Sequence, residues 1–573
     1  MPVHNSDIAD FFATLADLLE IEGANPFRVR AYRNAAATVR SHPRRMADLI
    51  DEGMDLAELP DIGDDLAGKI QTIVETGRLP LLDEVAQRTP VELSDLMAIE
   101  GLGAKRVRRL YDELGIRSVE DLRRAADSGA IRELPGFGPK TEEAIRKRVE
   151  AHAGRERRMK LADAEDVADA LVHLLAGCDG VREVVVAGSF RRRRETVGDL
   201  DVLVTASKGA PVMQRLADYD EVDEIVSSGK TRSTVRLHAG LSVDVRVVPQ
   251  VSYGAALVYF TGSKSHNIAL RKRGMRKGYK VNEYGVFKGE RRVAGQTEAS
   301  VYAKLGLPLI PPELREDRGE IDAARRGRLP KLVTLEDIRG DLHCHSKATD
   351  GRDTISRMAE AAKERGYEYL SINDHSKHVS VAHGLDRKRL LAQVRAIDRL
   401  NAKLDGIVVL KSVEVDILED GSLDLPDDVL KELDFTVCAV HYQLRLTRRK
   451  QTERILRAMD NPYFNILAHP TGRLINRRDP CELDLERLLE AAHERGCIFE
   501  LNAHPDRLDL NDEACRLAKD IGVGIAVATD AHSVDGLDTM RYGIDQARRG
   551  WLEKKDVVNT LSLAALQKRL RRR

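Results

Sequence analysis

From residue 338 onward, short apolar runs end repeatedly in a histidine, an aspartate or a glutamate. GDLHCHS supplies His343 and His345, and Asp350 follows. SINDHS then supplies His375, SVEVDI Glu414, VCAVHYQ His441, NILAHP His469, and AVATDAHS Asp530 and His532. Runs such as YLSI, FTVCAV and GIAVAT are β-like, and amphipathic segments such as ISRMAEAAKERG and LERLLEAAHERG lie between runs. Strand–helix alternation with polar residues at the carboxyl ends of strands predicts a (βα) barrel with its site on that face. His343 and His345 are spaced i,i+2 and share one face of a strand. Imidazole and carboxylate suit Zn, Mn or Fe, and nine such side chains at one mouth imply more than one ion. A multi-metal site of this kind activates water and clamps a phosphoryl group. His173, His238, His493 and His504 stand alone and read as packing residues.

A second constellation lies in GSFRRRRETVGDLD, residues 188–201. Asp199 and Asp201 are again spaced i,i+2 and open the apolar run VLV, so both point to one face of a strand. Gly188 and Ser189 follow the strand-like EVVVA, and a small turn there lets backbone N–H groups approach a phosphate. The arginines that follow are expected to add positive charge. Asp244 interrupts the apolar face of LSVDVRVV, where an aspartate is costly unless a cation meets it. Three carboxylates with a Gly-Ser turn outline a two-metal nucleotidyl-transfer site. A bare acidic pair on an edge strand would be a solvated surface instead.

A chain of 573 residues needs two to four domains. The net charge of −1 neither favours nor excludes a polyanionic partner, so local charge must decide. Six cysteines, none in a CxxC, fit a reducing cytosol. The N-terminus mixes acids into a helical pattern unlike a signal peptide, and no apolar run spans a bilayer. A prokaryotic cytoplasmic protein without a membrane partner, monomeric by default, is expected.

Residues 1–155 read as helical, with one pattern repeated at LPDIGDDLAGKI (59–70), MAIEGLGAKRVRRL (97–110) and LPGFGPKTEEAI (134–145). Each joins an apolar residue, a glycine turn and an amphipathic helix, which exposes backbone N–H groups to an anion. Asp61 replaces the glycine found at Gly101 and Gly136, so the first copy is the weakest. These resemble helix-hairpin-helix motifs, which hold DNA backbones. Gly63, Gly101, Gly103, Lys105, Gly136, Gly138 and Lys140 are the candidate DNA contacts. Residues 263–292 carry ten Lys and Arg against two Asp and Glu, a candidate phosphate track. PPELREDRGEIDAARRGRLPKLVTLED (311–337) reads as a connector with some helical periodicity around 317–326.

With both halves in view, the whole chain resembles bacterial family X DNA polymerases, a polymerase beta-like core fused to a PHP (polymerase and histidinol phosphatase) domain. The resemblance implies a small lyase-like domain over 1–90 and a fingers-type domain with two hairpin motifs over 91–155. It further implies a nucleotidyltransferase palm over 156–262, a thumb over 263–312, a linker over 313–337 and a distorted (βα) barrel over 338–573. Asp199, Asp201 and Asp244 match the family's metal-binding aspartates, for two Mg or Mn ions. Gly188, Ser189 and Arg192 match its triphosphate turn. Tyr259, Phe260, Thr261, Gly262 and Ser263 match its nucleotide-binding segment, and Asn267 and Arg271 its contacts to the nascent base pair. Lys264 departs from polymerase beta, which carries an acid there. Lys69 falls where the family forms a Schiff base with deoxyribose phosphate. A plain phosphate contact is the alternative, and the acidic neighbours Asp64 and Asp65 favour it. Arg28, Arg30 and Arg33 are candidates for a 5′-phosphate pocket.

In the PHP half all nine family ligand positions are filled, for up to three Mn or Zn ions. The implied division is His343, His345, Glu414 and Asp530; Glu414, His441 and His469; and Asp350, His375 and His532. Asp374 is expected to orient His375 or to support the ligands. The function implied is filling of short gaps during repair, on gapped or primed DNA with deoxynucleoside triphosphates. A 3′→5′ exonuclease accompanies it, with abasic-site nicking and removal of 3′ blocks left open. Alternatives are a polymerase with a structural PHP domain, a small-molecule nucleotidyltransferase fused to a phosphatase, and a non-catalytic DNA-binding module. The hairpins, the basic segment and the complete ligand set argue against them.

Overall fold

The computed structural model describes residues 3, 5–41, 46–59, 61–97, 99, 102–153 and 158–571. They form two compact units, Met1–Arg158 and Met159–Arg573. The first is built from helices, chief among them Asn5–Ile21, Pro26–Ser41, Asp64–Thr76, Ala104–Leu114, Val119–Ser128 and Pro139–Ala153. Phe12, Leu15, Tyr32, Ile70, Val107, Leu110 and Ile145 belong to one apolar core. That core runs through both 1–90 and 91–155, so the expected boundary at 90 does not divide cores.

The three hairpin turns share one construction. Ile62, Leu102 and Phe137 are buried in the core, each followed by an exposed glycine, Gly63, Gly103 or Gly138, at the start of a helix. The apolar residue pins the turn while the backbone N–H groups of the next helix stay accessible. Gly136 takes φ +85°, and Asp61 takes φ +57° at the equivalent place. Aspartate is among the few side chains that tolerate this left-handed region, so the first copy keeps the turn without its glycine. Gly101 lies outside the described residues.

The second unit begins with a five-stranded mixed sheet in the order Val181–Val186, Asp199–Ala206, Ser242–Val248, Arg232–Leu237, Val222–Ser228. Strand Asp199–Ala206 lies inside the sheet, antiparallel to Val181–Val186 and parallel to Ser242–Val248. Val202, Val204, Val243 and Val245 bury one face with helix Leu161–Ala176. Helices Tyr253–Thr261, Lys264–Arg276 and Glu298–Lys304 then pack around a small antiparallel sheet, 280–294. Segment 313–337 is built into this body. Arg315 is fully buried, donating to the Ile310 carbonyl at 2.9 Å and to Glu298 at 2.7 Å. Glu320 is also fully buried and accepts from the Asp317 and Arg318 amides.

From Gly340 onward the strands are parallel. One sheet runs Gly340–Asp341, Tyr369–Ile372, Val408–Lys411, and a second runs Glu414–Asp416, Val437–Ala439, Ile466–Leu467, Ile498–Asn502, Ile525–Ala528. Lys411 and Glu414 are nearly consecutive, and parallel bridges His375–Glu414 and Cys344–Ala531 join the sheets at both sides. The result is a closed, irregular (βα) barrel. All but one of its strands pair through fewer than five residues, and such short strands bend a barrel more readily than they hold it circular.

Candidate active sites

In the five-stranded sheet Asp201 pairs in register with Asp244, and Asp199 precedes them on the same strand face. Burial, then the Asp199 and Asp244 charges, push the Asp201 carboxyl up to about 7. Three carboxylates held this way repel one another, which a divalent cation reverses. Arg232 donates to both Asp244 oxygens at 3.3 and 3.2 Å, and the Thr234 hydroxyl donates at 3.2 Å. Neither residue stood out in the sequence, because their relation to Asp244 is cross-strand.

Gly188 opens a one-turn helix, Gly188–Arg191, at the end of strand Val181–Val186. The Ser189 hydroxyl oxygen is buried with no hydrogen-bond partner, as expected of a group awaiting a phosphate oxygen. The arginines differ from the sequence expectation of free positive charge. Arg191 is paired with Glu298 at 2.7 Å, Arg192 with Glu316 at 3.0 Å, and Arg193 with Glu165 at 2.7 Å and Asp545 at 2.6 Å. Those carboxylates come from distant segments, and no local spacing announces them. Arg192 also donates to the Thr261 carbonyl at 2.5 Å and sits against Gly262.

Tyr259 and Phe260 meet edge to face at 5.0 Å. Arg271 lies over Tyr259, Arg246 lies over Phe260, and Asn267 donates to the Tyr259 carbonyl at 2.7 Å. Tyr259, Phe260, Asn267 and Arg271 thus lie together beside Arg192 and Gly262, and Lys264 is exposed at the start of its helix.

In the helical unit Lys69 forms an ion pair with Asp65. Arg33 is engaged by Asp17 at 3.0 Å and by Glu20, so it is less available to a phosphate than the exposed Arg28 and Arg30. Lys105 and Lys140 are exposed beside their turns.

At the barrel mouth three groups of ligand atoms come within 4.8 Å: His345, Asp350, His375 and His532; His343, His345 and Asp530; and His375, Glu414 and His441. His469 joins through Glu414 at 3.0 Å. Glu414 faces two ways: one oxygen lies 3.2 Å from His441 and 3.0 Å from His469, the other 3.6 Å from both His343 and His345. His345 and His375 each stand in two groups, so the ligands interlock more than the expected division has it. His345 Nδ1, His375 Nδ1 and one Glu414 oxygen are buried without hydrogen bonds, and the Nε2 atoms of His343 and His345 face each other at 3.1 Å. Buried, mutually facing lone pairs fit metal ions. His469 and Asp530 take φ +26° and +55°, backbone strain of the kind found at functional sites.

Burial works against charge on His375, but Glu414 and Asp350 overcome it and lift the imidazole to about 10; His441 rises to about 9 on Glu414 and Asp416 against the same burial. Burial likewise opposes ionisation of Glu414 and Asp530, yet the surrounding imidazoles hold both well below the carboxylate range.

Supporting residues lie behind the ligands. Glu500 meets His343 Nδ1 at 2.6 Å and accepts the His469 amide at 2.6 Å. Asp416 meets His441 Nδ1 at 3.0 Å, and Asn502 donates to Asp530 at 3.1 Å. Asp416 follows Glu414 at i,i+2 and could have been found by the spacing that revealed His343 and His345. Glu500 carries no such sign. Asp374 does not bond His375; it accepts from the Ser346 amide and hydroxyl and from the Thr349 hydroxyl, fixing the loop before Asp350.

Comparison with known proteins follows this geometry. Residues 256–316 match the DNA polymerase beta thumb, 3–79 a helix-hairpin-helix domain, and 93–150 a SAM-like helix-hairpin-helix tandem. DNA polymerase/3′-5′ exonuclease PolX of Bacillus subtilis (strain 168) is 37% identical over 577 residues, covering 100% of both chains. A probable phosphatase of Thermoanaerobacter sp. (strain X514) is 32% identical over 232 residues, 38% of this chain and 89% of that protein. DNA polymerase lambda of Rattus norvegicus is 27% identical over 345 residues, 55% of this chain and 56% of that one. With a full-length match at this identity, the chain belongs to the bacterial family X DNA polymerases that join a polymerase beta-like core to a PHP domain.

Proposed function

We propose that this chain fills short gaps in DNA at the Asp199–Asp201–Asp244 site and trims 3′ ends at the barrel mouth. The observation that carries this reading is the presence, in one compact unit, of two separate clusters of side chains of metal-ligand type, three carboxylates on paired strands and an imidazole–carboxylate set at the barrel mouth. Asp199, Asp201 and Asp244 would hold two Mg or Mn ions. His343, His345, Asp350, His375, Glu414, His441, His469, Asp530 and His532 would hold up to three, Mn or Zn. When bound, such ions activate the primer 3′-hydroxyl or a water and neutralise phosphoryl charge.

The chain's own residues do the rest. Ser189 and the Gly188 turn receive triphosphate oxygens, and Arg192 exchanges Glu316 for the triphosphate. Tyr259, Phe260, Asn267 and Arg271 hold the sugar and base. Arg232 and Thr234 hold the Asp244 carboxylate in place by hydrogen bonds. At the barrel, Glu500 and Asp416 engage Nδ1 of His343 and His441, which would leave Nε2 of each to hold a metal ion. The exposed turns at Gly63, Gly103, Gly136 and Gly138, together with Gly101, Lys105 and Lys140, grip the DNA backbone. Lys69, paired with Asp65, acts as one more phosphate contact rather than a nucleophile. Domain limits near 155, 262 and 312 belong to this reading, while the limit near 90 lies within one shared apolar core and 313–337 packs into the second unit rather than serving as a free linker. Gapped or primed DNA and deoxynucleoside triphosphates as substrates, and a monomer in a prokaryotic cytoplasm, belong to it too.

The test uses Asp199→Ala/Asp201→Ala protein, Mn²⁺, no nucleotides and a 5′-labelled primer at a one-nucleotide gap. Stepwise shortening from the 3′ end is expected. An intact primer would leave the barrel without nuclease function and overturn that half of the reading.

A further inference from the structure

Beside the barrel's metal ligands lies a cluster that ligation does not require. His378 and Tyr442 meet edge to face at 4.7 Å. Each follows a ligand closely in the chain: His378 comes three residues after His375, and Tyr442 comes directly after His441. Asp416 ties them to the metal mouth, since one of its oxygens meets His441 Nδ1 at 3.0 Å and the other lies 3.6 Å from His378 Nε2. The His378 side chain is 45% exposed and Tyr442 is half-buried, so the pair lines the rim rather than the core.

Val381 tips the adjoining turn Ser380–Ala382 and is 85% exposed. A single exposed valine means little. The residues just after its turn are tied down, because Arg389 donates to the carbonyls of His383, Gly384 and Ala348, the last at 2.6 Å. The Leu385 amide donates to the His375 carbonyl at 2.7 Å, which returns the turn to the ligand strand.

Beyond Tyr442 the chain reads QLRLTRRK, residues 443–450, with four cations and no acid. Arg445, Arg448, Arg449 and Lys450 are exposed. Arg448 meets Asp484 at 3.3 Å and Arg449 meets Glu453 at 3.4 Å, with the arginine side chains 63% and 74% exposed. Exposed pairs of this kind are weak and yield readily to phosphate.

An aromatic pair joined to the metal ligands through Asp416, with an exposed valine three residues after His378 and a basic run shortly after Tyr442, supplies the components of a single-strand site. We propose that His378, Tyr442 and Val381 hold the 3′-terminal nucleobase of a DNA strand by stacking, while the 445–450 run carries the backbone behind it. A base gripped on its faces cannot remain in a duplex, so a single strand is the substrate that reports on these residues. The inference rests on the reading of the barrel as a 3′-end phosphoesterase.

The test places 2-aminopurine as the last base of a 5′-labelled single strand, with the full chain in EDTA so that nothing is cut. Wild-type protein should quench this base more than one placed eight nucleotides inward. Tyr442→Leu should weaken binding on the order of ten-fold, the size of one base–aromatic stack, and Tyr442→Phe should restore it. Val381→Asp, at an exposed position with little effect on folding, should weaken binding and quenching as well. Quenching and affinity unchanged in both Tyr442→Leu and Val381→Asp would overturn the base site. The same strand is then incubated with wild-type protein and Mn²⁺. A strand left intact sinks the phosphoesterase reading, whereas cleavage together with unaltered variants sinks only the base site.

Discussion

Gly188 and Asp201 are packed so closely that a Cβ at position 188 would run into the Asp201 carboxylate. Gly188 also takes φ +60°, a conformation other residues adopt only at a cost. The turn meant for phosphate and the strand meant for metal are therefore positioned against each other. Gly188→Ala is expected to displace Asp201 and lower nucleotide incorporation about 100-fold, the scale of an ångström-sized misplacement of catalytic groups. Single-nucleotide extension on gapped DNA measures it, with 3′ trimming by the same protein as the internal reference. Incorporation at the wild-type rate would refute the coupling.

Asp201 also sets a pH dependence. Its carboxyl is raised to about 7 in the fold by burial and then by Asp199 and Asp244, against about 3.9 in an unfolded chain. Between those values the folded protein binds more protons than the unfolded one, so metal-free stability falls as pH rises from about 4 to 7. Mg²⁺ replaces the lost proton, and its stabilisation should grow over the same interval. The melting-temperature gain with Mg²⁺ should be larger at pH 8 than at pH 5.5, and that difference should shrink in Asp201→Asn. Equal pH dependence in the two proteins would remove Asp201 from the account.

The hydrogen bond that His343 Nδ1 donates to the Glu500 carboxylate spans 157 residues of sequence. Glu500→Gln keeps the shape but removes the charge that holds the imidazole and its neighbour His469. Support of this kind is worth roughly 10–100-fold in metal affinity or rate. The substitution should lower 3′ trimming by about that factor and leave gap filling to the separate aspartate site. Mn²⁺ titration of both activities in one preparation reads the outcome. A loss shared equally by the two activities would indicate general unfolding instead.

What could be read from the chain alone follows from how local each signal is. His343 and His345, Asp199 and Asp201, and the three hairpin turns are all encoded within a few residues. Strand alternation or a buried apolar residue before a glycine is enough to place them. Asp61 made the first copy look the weakest, because a left-handed backbone leaves no mark on residue type beyond a mild preference. The arginines after Gly188 were visible as positive charge, but their carboxylate partners Glu298, Glu316, Glu165 and Asp545 come from remote segments and were not. Glu500 and Arg232 stayed hidden because their roles exist only after strands distant in sequence have paired. Spacing finds what one element presents, and cross-strand or cross-domain partners emerge only with the fold.

Arg193 carries the strongest test of how the sheet and the barrel are joined. Its guanidinium sits between Glu165 and Asp545, 352 residues away in the second case, and Tyr542 donates to the same Glu165 at 2.6 Å. Burial opposes the charge on Arg193, yet Asp545 and Glu165 raise its affinity for the proton further still. The side chain is 21% exposed and its partners 12% and 18%, so water cannot take over the pairing. Arg193→Ala would strand Asp545, since Glu165 keeps Arg541 at 2.8 Å and Tyr542, and breaking a buried pair from one side costs about 3–5 kcal/mol. Urea unfolding should show a loss of that order. Replacing all three groups together, as Arg193→Met/Glu165→Gln/Asp545→Asn, should recover most of it, because the charge then left without its partner, Arg541, is 53% exposed. If the triple variant is as unstable as Arg193→Ala, the stability comes from the arginine's packing rather than its charge. If Arg193→Ala costs nothing, the joint between sheet and barrel is made elsewhere.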